Sequence, residues 1–212
     1  MGSVEQTMKN FLYSLFIGLF GIAGLTSIAF LLMYAAQSKQ QAHLYSNLAA
    51  VRKQDTQQGI ASQSSVQPTS RNLYLENADM IGWIQIEGTS IDYPVMQTVD
   101  KPNFYLKRGF DKQYSDYGVP YVQENCDLAR SDNCVIYSHH MNNGTMFADL
   151  CKYENEDFYR EHKTIRFDTL SGFSEYEIVA VFKTVAYSER GFKYYHFICA
   201  ESAEDFGDYI VQ

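Results

Sequence analysis

Lysine and arginine are scarce in this 212-residue chain, which has 17 of them against 25 aspartates and glutamates and a formal net charge of −8. The only charged residues before Phe11 are Glu5 and Lys9, which cancel, so the acidity belongs to the part of the chain that follows. Binding to nucleic-acid phosphates needs clustered lysine and arginine, so this charge balance argues against a nucleic-acid partner. The simplest interpretation of the acidity is a surface that keeps a domain soluble.

Charge is absent altogether from residues 11–36, an apolar run of 26 positions. At about 1.5 Å per residue a helix of this length reaches roughly 39 Å, and the hydrocarbon core of a bilayer needs about 20 residues. A cleaved signal peptide is the alternative, but its apolar core would be only about 7–15 residues behind a basic start. We therefore predict an uncleaved transmembrane anchor at 11–36, preceded by a short flank at 1–10.

The orientation of this anchor does not follow from charge. The positive-inside rule would need a basic flank on the N-terminal side. Here Lys9 stands alone before the span, while Lys39, Arg52 and Lys53 follow it. The side of the membrane on which the C-terminal part lies therefore has to be argued on other grounds.

A polar segment separates the apolar run from the rest of the chain. Residues 37–72 are rich in glutamine, serine and alanine. The part at 38–54 could form a helix near the membrane, whereas GIASQSSVQPTS at 59–70 has almost no large apolar residue and cannot bury enough surface to fold alone. We predict a membrane-proximal helix and a tether here, followed by a folded domain at 73–212.

The domain is predicted to be mostly β with short helices. From residue 73 onward, short aromatic and β-branched runs alternate with turn residues, which is typical of a sandwich or barrel with a few helices. Pro94 indicates that the second strand lies at an edge or an end. Strands are predicted at 81–86, 91–96, 118–123, 134–137, 164–168 and 176–185, and helical turns at 145–150, 155–162 and 204–211.

The feature of the sequence that most strongly suggests a chemical role is a pair of adjacent histidines, His139 and His140. The sequence VIYSHHMNNGTMF at 135–147 runs from a strand through the histidines into a glycine-containing turn and a short helix. A histidine at a strand end is held by the sheet and reaches solvent, which suits proton transfer because imidazole titrates near neutral pH. The alternative is a pair of surface histidines in a loop. No cysteine or carboxylate stands at zinc-ligand spacing from them, so we predict no metal site.

The stretch at 77–212 resembles the catalytic domain of class B sortases. The motifs at 77–86 and 91–97 are similar to the family's first two strands. The motif at 136–141 with 143–147 is similar to the family's histidine motif, and the motif at 157–162 is similar to the helix after it. Ser138 stands where the family usually has glycine, a minor departure. The motifs are NADMIGWIQI at 77–86, IDYPVMQ at 91–97, FYLKRG at 104–109, IYSHHM at 136–141 with NGTMF at 143–147, and DFYREH at 157–162.

The resemblance implies a sortase-type β-barrel with helices and a cysteine transpeptidase activity. Such an enzyme cuts a sorting signal near the C-terminus of a surface protein, holds the acyl group as a thioester and passes it to an amine of the cell wall or of a pilin. The family's catalytic histidine corresponds to His139, which leaves His140 a structural or surface role. Leu106 falls where the family has an apolar residue that contacts the sorting signal. The resemblance also implies a single-pass protein of the cell membrane with its N-terminus inside and its domain outside, and no cofactor is expected.

The chain departs from the family in one major respect. The family's nucleophile lies in a Thr-Leu-x-Thr-Cys motif on the seventh strand and its arginine on the eighth, and neither motif occurs here. The residues at 204–212 resemble the helix before that seventh strand. We therefore expect the barrel at 73–212 to be truncated before its last strands and the chain by itself to be inactive, since no acyl-enzyme forms without a thiolate. The alternative is a non-catalytic, membrane-anchored sortase-like module that binds peptides or partners.

Four cysteines are present, and none is expected to replace the missing nucleophile. Cys126 and Cys134 flank the loop DLARSDN and could pair as a disulfide, which an oxidising compartment permits. Cys151 follows a predicted helix and is expected to be packed. Cys199 is the best substitute because it lies near a strand end, but its position resembles the family's loop before the helix rather than the nucleophile strand.

Overall fold

The computed structural model describes residues 2–60, 71–169, 172–185 and 193–211, and the chain divides into two compact units after Ser46. The first unit is the beginning of a long helix, α1 (Gly2–Ile60). Its most apolar window has a mean hydropathy of 2.3 and is fully exposed. By length and composition this helix can cross a membrane, and the predicted anchor at 11–36 lies wholly within it.

The polar segment after the apolar run continues the same helix. Because α1 extends to Ile60, it includes residues 38–54, the part predicted to be helical. Most of the predicted tether, residues 61–70, lies outside the described residues. A short helix, α2 (Arg71–Glu76), follows in the second unit and buries Leu73.

The second unit contains six strands among its described residues: β1 (Met80–Ile86), β2 (Asp92–Met96), β3 (Tyr121–Val122), β4 (Ile136–Tyr137), β5 (Thr164–Thr169) and β6 (Gly172–Glu177). They form one curled sheet in the order β4-β3-β2-β1-β5-β6. Neighbouring strands run antiparallel, except that β2 and β3 pair in parallel through Met96 and Tyr121. The fold is therefore mostly β with short helices, as predicted.

β1 lies at the centre of the sheet. Trp83 stands opposite Pro94 of β2 and Asp168 of β5, and its side chain is fully buried. β2 is an interior strand, so the edge or end position that Pro94 indicated is wrong. Because β3 reaches β2 only at Met96, the proline interrupts no hydrogen-bonded ladder on that side.

The long strand predicted at 176–185 is also wrong beyond its first two residues. β6 ends at Glu177, opposite Thr164, the first residue of β5. One more hydrogen bond follows, from Ile178 N to the carbonyl oxygen of Lys163, the residue before β5. Beyond it, β5 has no further residue with which β6 could pair. The alternating apolar pattern predicted a strand, but a strand needs a neighbour to pair with, and Val179 is accordingly 90% exposed.

The three helical segments predicted in the domain are close to their predicted positions, with some changes in length, whereas α2 and the 3₁₀ helices at Phe104–Lys107 and Tyr194–His196 were not predicted. A 3₁₀ helix covers Phe147–Glu154, and α3 (Glu156–Glu161) follows with Asn155 accepting from two backbone N–H groups at its N-terminus. The last helix, α4 (Ala203–Ile210), begins after Ser202, whose hydroxyl caps it. Such caps satisfy the N–H groups that have no partner in the first turn of a helix.

The core of the second unit includes the end of α1. The Arg52 guanidinium pairs with the buried carboxylate of Asp168 and with Asp92, and it lies 5.1 Å from the centre of the Trp83 ring. Leu48, one turn earlier, is also buried. The last turns of α1 are therefore part of the domain's packing rather than a separate linker.

Candidate active site

His139 lies two residues beyond β4, where the chain leaves the outer strand of the sheet. Its Nε2 atom is 2.7 Å from the backbone carbonyl oxygen of Leu106. Because a carbonyl oxygen only accepts hydrogen bonds, Nε2 carries a proton in this arrangement, and Nδ1 of the neutral ring is left as the proton acceptor. The structure thus brings together the two residues that were predicted separately.

Leu106 is presented by a 3₁₀ helix, Phe104–Lys107. Tyr105 in the same turn is fully buried, donates its hydroxyl to Asp79 and accepts from the side chain of Asn77. These hydrogen bonds fix the turn to the residues that directly precede β1. The Leu106 side chain is 38% exposed, so this residue offers its carbonyl to the histidine and an apolar side chain to the solvent.

A glycine makes room for the Leu106 carbonyl. Gly118 has a φ of +59°, and a Cβ atom built on it would lie 2.6 Å from the Leu106 oxygen and 2.7 Å from the Tyr105 oxygen. Any other residue at this position would have to displace the turn that carries Leu106, besides adopting a left-handed backbone. Gly118 therefore positions His139 through Leu106. The sequence marks it only as the first residue of a predicted strand, which is why its role was not predicted.

A small charged cluster lies beside His139. The Asp116 carboxylate accepts hydrogen bonds from Lys107 Nζ at 2.9 Å and from Tyr114 Oη at 2.7 Å. The Lys107 ammonium group and then the Tyr114 hydroxyl lower the pKa of Asp116, and His139 adds a weaker electrostatic contribution in the same direction. Sequence reasoning missed this cluster because its members come from both ends of an irregular loop.

The turn after His139 is held in a strained conformation. Phe147 N donates to the His139 carbonyl at 2.9 Å, and His140 pairs with Met146 in an isolated bridge. Met146 is fully buried with a φ of +57°, and its N–H donates to the hydroxyl of Tyr93. Strain of this kind persists only where the surroundings enforce it, and it clusters at functional sites. The backbone of His139 is therefore fixed on the turn side as well as through its ring.

His140 has a different partner from its neighbour. Its Nδ1 atom lies 3.7 Å from Cys151 Sγ, and its side chain is exposed. Cys151 lies inside the 3₁₀ helix Phe147–Glu154 rather than after a shorter one, and it is half-buried. This contact separates His140 from the arrangement of His139 and Leu106.

The other three cysteines are free thiols. Burial raises the pKa of Cys126, and it raises that of Cys134 to about 12 although this residue keeps access to solvent. Cys199 is exposed, with its sulfur 3.8 Å from the Ser131 hydroxyl. In the described part of the chain no cysteine sulfur is hydrogen-bonded to His139, so none forms the nucleophile–base contact of acyl transfer.

A concave groove of about 800 Å³ lies inside the curl of the sheet. Ile84 of β1 and Phe167 of β5 form its floor, and Ile136 of β4 and Tyr176 of β6 lie at its margins. These margins are the two outer strands. Within the described residues, no other strand pairs with the outer edge of either one. Open strand edges around an apolar groove can accept an extended chain by backbone hydrogen bonds. The described residues contain no cluster of three or more His, Cys, Asp or Glu side chains suited to a metal ion.

Comparison with known proteins links this geometry to a family. A family model described as a sortase domain matches residues 84–197. Sortase B of Listeria monocytogenes serovar 1/2a is 35% identical over 145 residues, which make up 66% of this chain and 55% of that protein. The chain spans about half the length of the curated relatives it matches.

Solved structures show the same fold. A Staphylococcus aureus sortase B–substrate complex superimposes with a TM-score of 0.74 and 26% identity, covering 83% of this chain and 78% of that one. A sortase B complexed with triglycine has a TM-score of 0.72 and 27% identity, covering 82% of this chain and 78% of that one.

Proposed function

Because the chain belongs to the sortase family, we propose that it is the membrane-anchored part of a class B sortase, a cysteine transpeptidase. In this proposal the enzyme cleaves a C-terminal sorting signal of surface proteins and passes the acyl group to an amine of the cell wall or of a pilin. The observation that carries the proposal is the His139 imidazole held 2.7 Å from the Leu106 carbonyl within the matched region.

His139 is the proposed general acid–base. Its Nε2–H is committed to Leu106, so Nδ1 is the atom that can take a proton from a thiol and return it to a leaving amine. The Asp116 carboxylate, ionised and held by Lys107 and Tyr114, places a negative charge beside the ring. A positioned acid–base group of this kind contributes typically about 10²–10⁴-fold to a rate.

The sorting-signal peptide is proposed to contact the exposed side chain of Leu106. The turn that carries Leu106 is anchored through the buried Tyr105, so this contact surface is rigid relative to His139. Support comes from the relatives: one structural neighbour holds a substrate and another holds triglycine, a peptide with a free amine. For this chain we propose a peptide substrate and an amine acceptor of the same two kinds.

The nucleophilic cysteine and the arginine are proposed to lie on strands that are not among these 212 residues. Three observations support this. No described thiol is bonded to His139, the chain spans about half the length of its curated relatives, and β4, which leads into His139, has an open edge among the described strands. A strand paired with that edge would bring its own side chains beside the histidine.

The apolar part of α1 is proposed to be a single-pass anchor of the cell membrane. The helix is long and apolar enough to cross a bilayer, and its apolar window is fully exposed. We further propose that the N-terminus lies inside and the domain outside, because sorting signals of surface proteins and their amine acceptors are met on the outer side. The flanking charges do not support this orientation, since Lys9 alone precedes the span while Lys39, Arg52 and Lys53 follow it, so the orientation rests on where the substrates are met.

The proposal is tested by sequencing the gene past codon 212 and expressing the whole reading frame, including frames shifted by one base. We expect a Thr-Leu-x-Thr-Cys motif and a later arginine. The purified product should cleave sorting-signal peptides taken from the surface proteins of the same genome, and triglycine should be joined to the released acyl fragment. Replacing the motif cysteine by alanine should abolish both products.

If no frame contains the motif and the product neither cleaves nor transfers, the enzymatic proposal is wrong. The non-catalytic binding module then becomes the explanation. It predicts saturable binding of the same peptides to the 212-residue chain in fluorescence polarisation, with weaker binding to a Leu106→Ala variant.

A further inference from the structure

Two cysteines flank the base of the loop between β3 and β4. The antiparallel pairing of these strands continues through a hydrogen bond of 2.9 Å from Gln123 N to Val135 O. Cys134 directly precedes Val135, and Cys126 follows Gln123 by three residues, after a turn closed by a hydrogen bond of 3.1 Å from Cys126 N to Gln123 O. The chain between the two cysteines, residues 127–133, forms the loop itself. A covalent link at this position would close the loop where the strands already hold it.

The sulfur atoms are placed for such a link. Cys126 Sγ lies 3.6 Å from the carbonyl oxygen of Asn133, which belongs to the peptide unit that joins Asn133 to Cys134. The two thiols are also close enough for each to contribute to the pKa of the other. A disulfide spans Cα atoms roughly 4.4–6.8 Å apart. The contact of the Cys126 sulfur with the peptide unit before Cys134 brings it beside the Cys134 side chain.

The two thiols differ in access. Cys126 is 5% exposed, whereas Cys134 is exposed to solvent. An external reagent can therefore reach Cys134 first, and Cys126 can act only on a sulfur that is already beside it. This is the division of roles between an attacking and a resolving cysteine.

The loop that these cysteines enclose holds the segment at 193–211. The Asn133 side chain donates to the carbonyl oxygens of Tyr194 at 3.2 Å and Phe197 at 2.8 Å. The Asn133 backbone N–H donates to Ile198 O at 3.0 Å. Asn133 directly precedes Cys134, so a disulfide between Cys126 and Cys134 would restrict the motion of Asn133, which makes these contacts.

We propose that Cys126 and Cys134 are an oxidisable dithiol whose disulfide closes the 127–133 loop and secures the segment at 193–211. The oxidant is a small organic disulfide. The Cys134 thiolate attacks one of its sulfurs, which forms a mixed disulfide and releases one thiolate. The Cys126 thiolate then attacks the Cys134 sulfur and releases the second. Two protein thiols lose two electrons and two protons, and the reagent is reduced to two thiols.

The test uses the full chain in detergent micelles, reduced, desalted and then incubated with oxidised glutathione at pH 8. Alkylation of the remaining thiols should show a fall from the four free cysteines to two. Trypsin cuts after Arg130, between the paired cysteines, so the disulfide should join the peptides 113–130 and 131–152 until dithiothreitol separates them. The oxidised chain should also melt roughly 5–10 °C higher, because a closed loop restricts the unfolded state.

Matched cysteine variants decide which sulfurs are joined, because the 131–152 peptide contains Cys151 as well as Cys134. The link should survive in Cys151→Ser and Cys199→Ser and disappear in Cys126→Ser and Cys134→Ser. Four unreacted thiols after incubation would overturn the proposal. So would a link that Cys151→Ser abolishes, or one that joins Cys126 to the peptide containing Cys199.

The rate of oxidation gives a second test. The pKa of Cys134 is raised to about 12, so its thiolate fraction rises about tenfold for each pH unit through the range from 7 to 9. Disulfide formation should accelerate accordingly. A rate that does not depend on pH in this range would contradict a first attack by a thiol whose pKa lies above it.

Discussion

The two sides of the sheet are held together in different ways. On one side, β1, β2, β5 and β6 are five to seven residues long and pair through long registers, interrupted only by a shift between Met80 and Gly82 in the pairing of β1 with β2. On the other side, β3 and β4 have two residues each. There, hydrogen bonds from the side chains of loop residues hold the chain in place. His139 and Leu106 both belong to this second side.

This difference separates scaffold from site. Long paired strands fix backbone positions through many repeated hydrogen bonds, so no single loop contact decides their geometry. The site side depends on individual contacts, such as Gly118 against the Leu106 oxygen and Asn133 against the segment at 193–211. Function is commonly carried by loops on a rigid scaffold, and single substitutions should therefore affect the two sides differently.

The largest effect is expected on the scaffold side, at Arg52. Its guanidinium is the counter-charge of the buried Asp168 carboxylate and also pairs with Asp92. Arg52→Ala should lower the free energy of unfolding by about 3–5 kcal/mol, because it leaves a buried carboxylate uncompensated. Chemical denaturation measures this loss. The exposed neighbour Lys53 is the control, and Lys53→Ala should change stability by less than about 0.5 kcal/mol. Equal losses in the two variants would contradict the account.

On the site side, Gly118→Ala should be costly in stability and should also disturb His139. The added Cβ meets two carbonyl oxygens, at 2.6 and 2.7 Å, and we expect a loss of about 2 kcal/mol together with a broken His139–Leu106 hydrogen bond. The nitrogen chemical shifts of the imidazole report that bond by showing which ring nitrogen carries the proton.

Gly144→Ala is the matched control for this substitution. Gly144 also has a positive φ, of +82°, but nothing lies within 4 Å of a Cβ built on it. It should lose only about 1 kcal/mol from backbone strain and leave the His139 signals unchanged. If both glycine variants shift His139 alike, the strained backbone rather than the contact with Leu106 controls the ring.

A smaller effect is expected at Asn133, which donates to two carbonyl oxygens of the 193–211 segment. Asn133→Ala should cost about 1–3 kcal/mol, because carbonyl groups lose their donors. Amide hydrogen exchange should speed up in 193–211 but not in β1 or β5. Asn142→Ala, in an exposed turn, should change neither quantity. Faster exchange spread evenly over the whole sheet would mean that the segment is integral to the scaffold.

The smallest effect is a pH dependence at Asp79. Burial alone would raise the pKa of this carboxyl group, but hydrogen bonds from Lys112 and Tyr105 outweigh it and lower the pKa below the usual 3.8. A lowered pKa stabilises the folded state above about pH 4 and loses that contribution as the pH falls through the lowered value. The stability difference between the parent and Asp79→Asn should therefore shrink below about pH 4. A difference that stays constant down to pH 2 would contradict this linkage.

The scaffold was largely predictable from the sequence, and its errors have a physical cause. Periodic apolar runs located β1, β2 and β5 to within a residue or two, because alternation is a local property. The predicted strand at 176–185 failed because pairing depends on a neighbour, which periodicity does not record. Pro94 was misplaced for the same reason, since the missing N–H matters only where a partner strand is present.

The site was predictable only in part. The local pattern singled out the pair His139 and His140, family resemblance selected His139 and added Leu106, and the structure brings these two residues together. The resemblance gave no indication that the Leu106 carbonyl holds the ring, since every residue has a carbonyl. Asp116 and Gly118 were missed because their roles arise from the path of an irregular loop, which has no period to detect.

The central claim is that His139, and not its neighbour His140, is the acid–base group of a sortase. The most direct measurement compares His139→Ala with His140→Ala in the product of the whole reading frame, using the rate of sorting-peptide cleavage in the presence of triglycine. We expect His139→Ala to lose at least about 10²-fold and His140→Ala to stay within a few-fold of the parent. Equal losses in the two variants, or a larger loss in His140→Ala, would contradict the account.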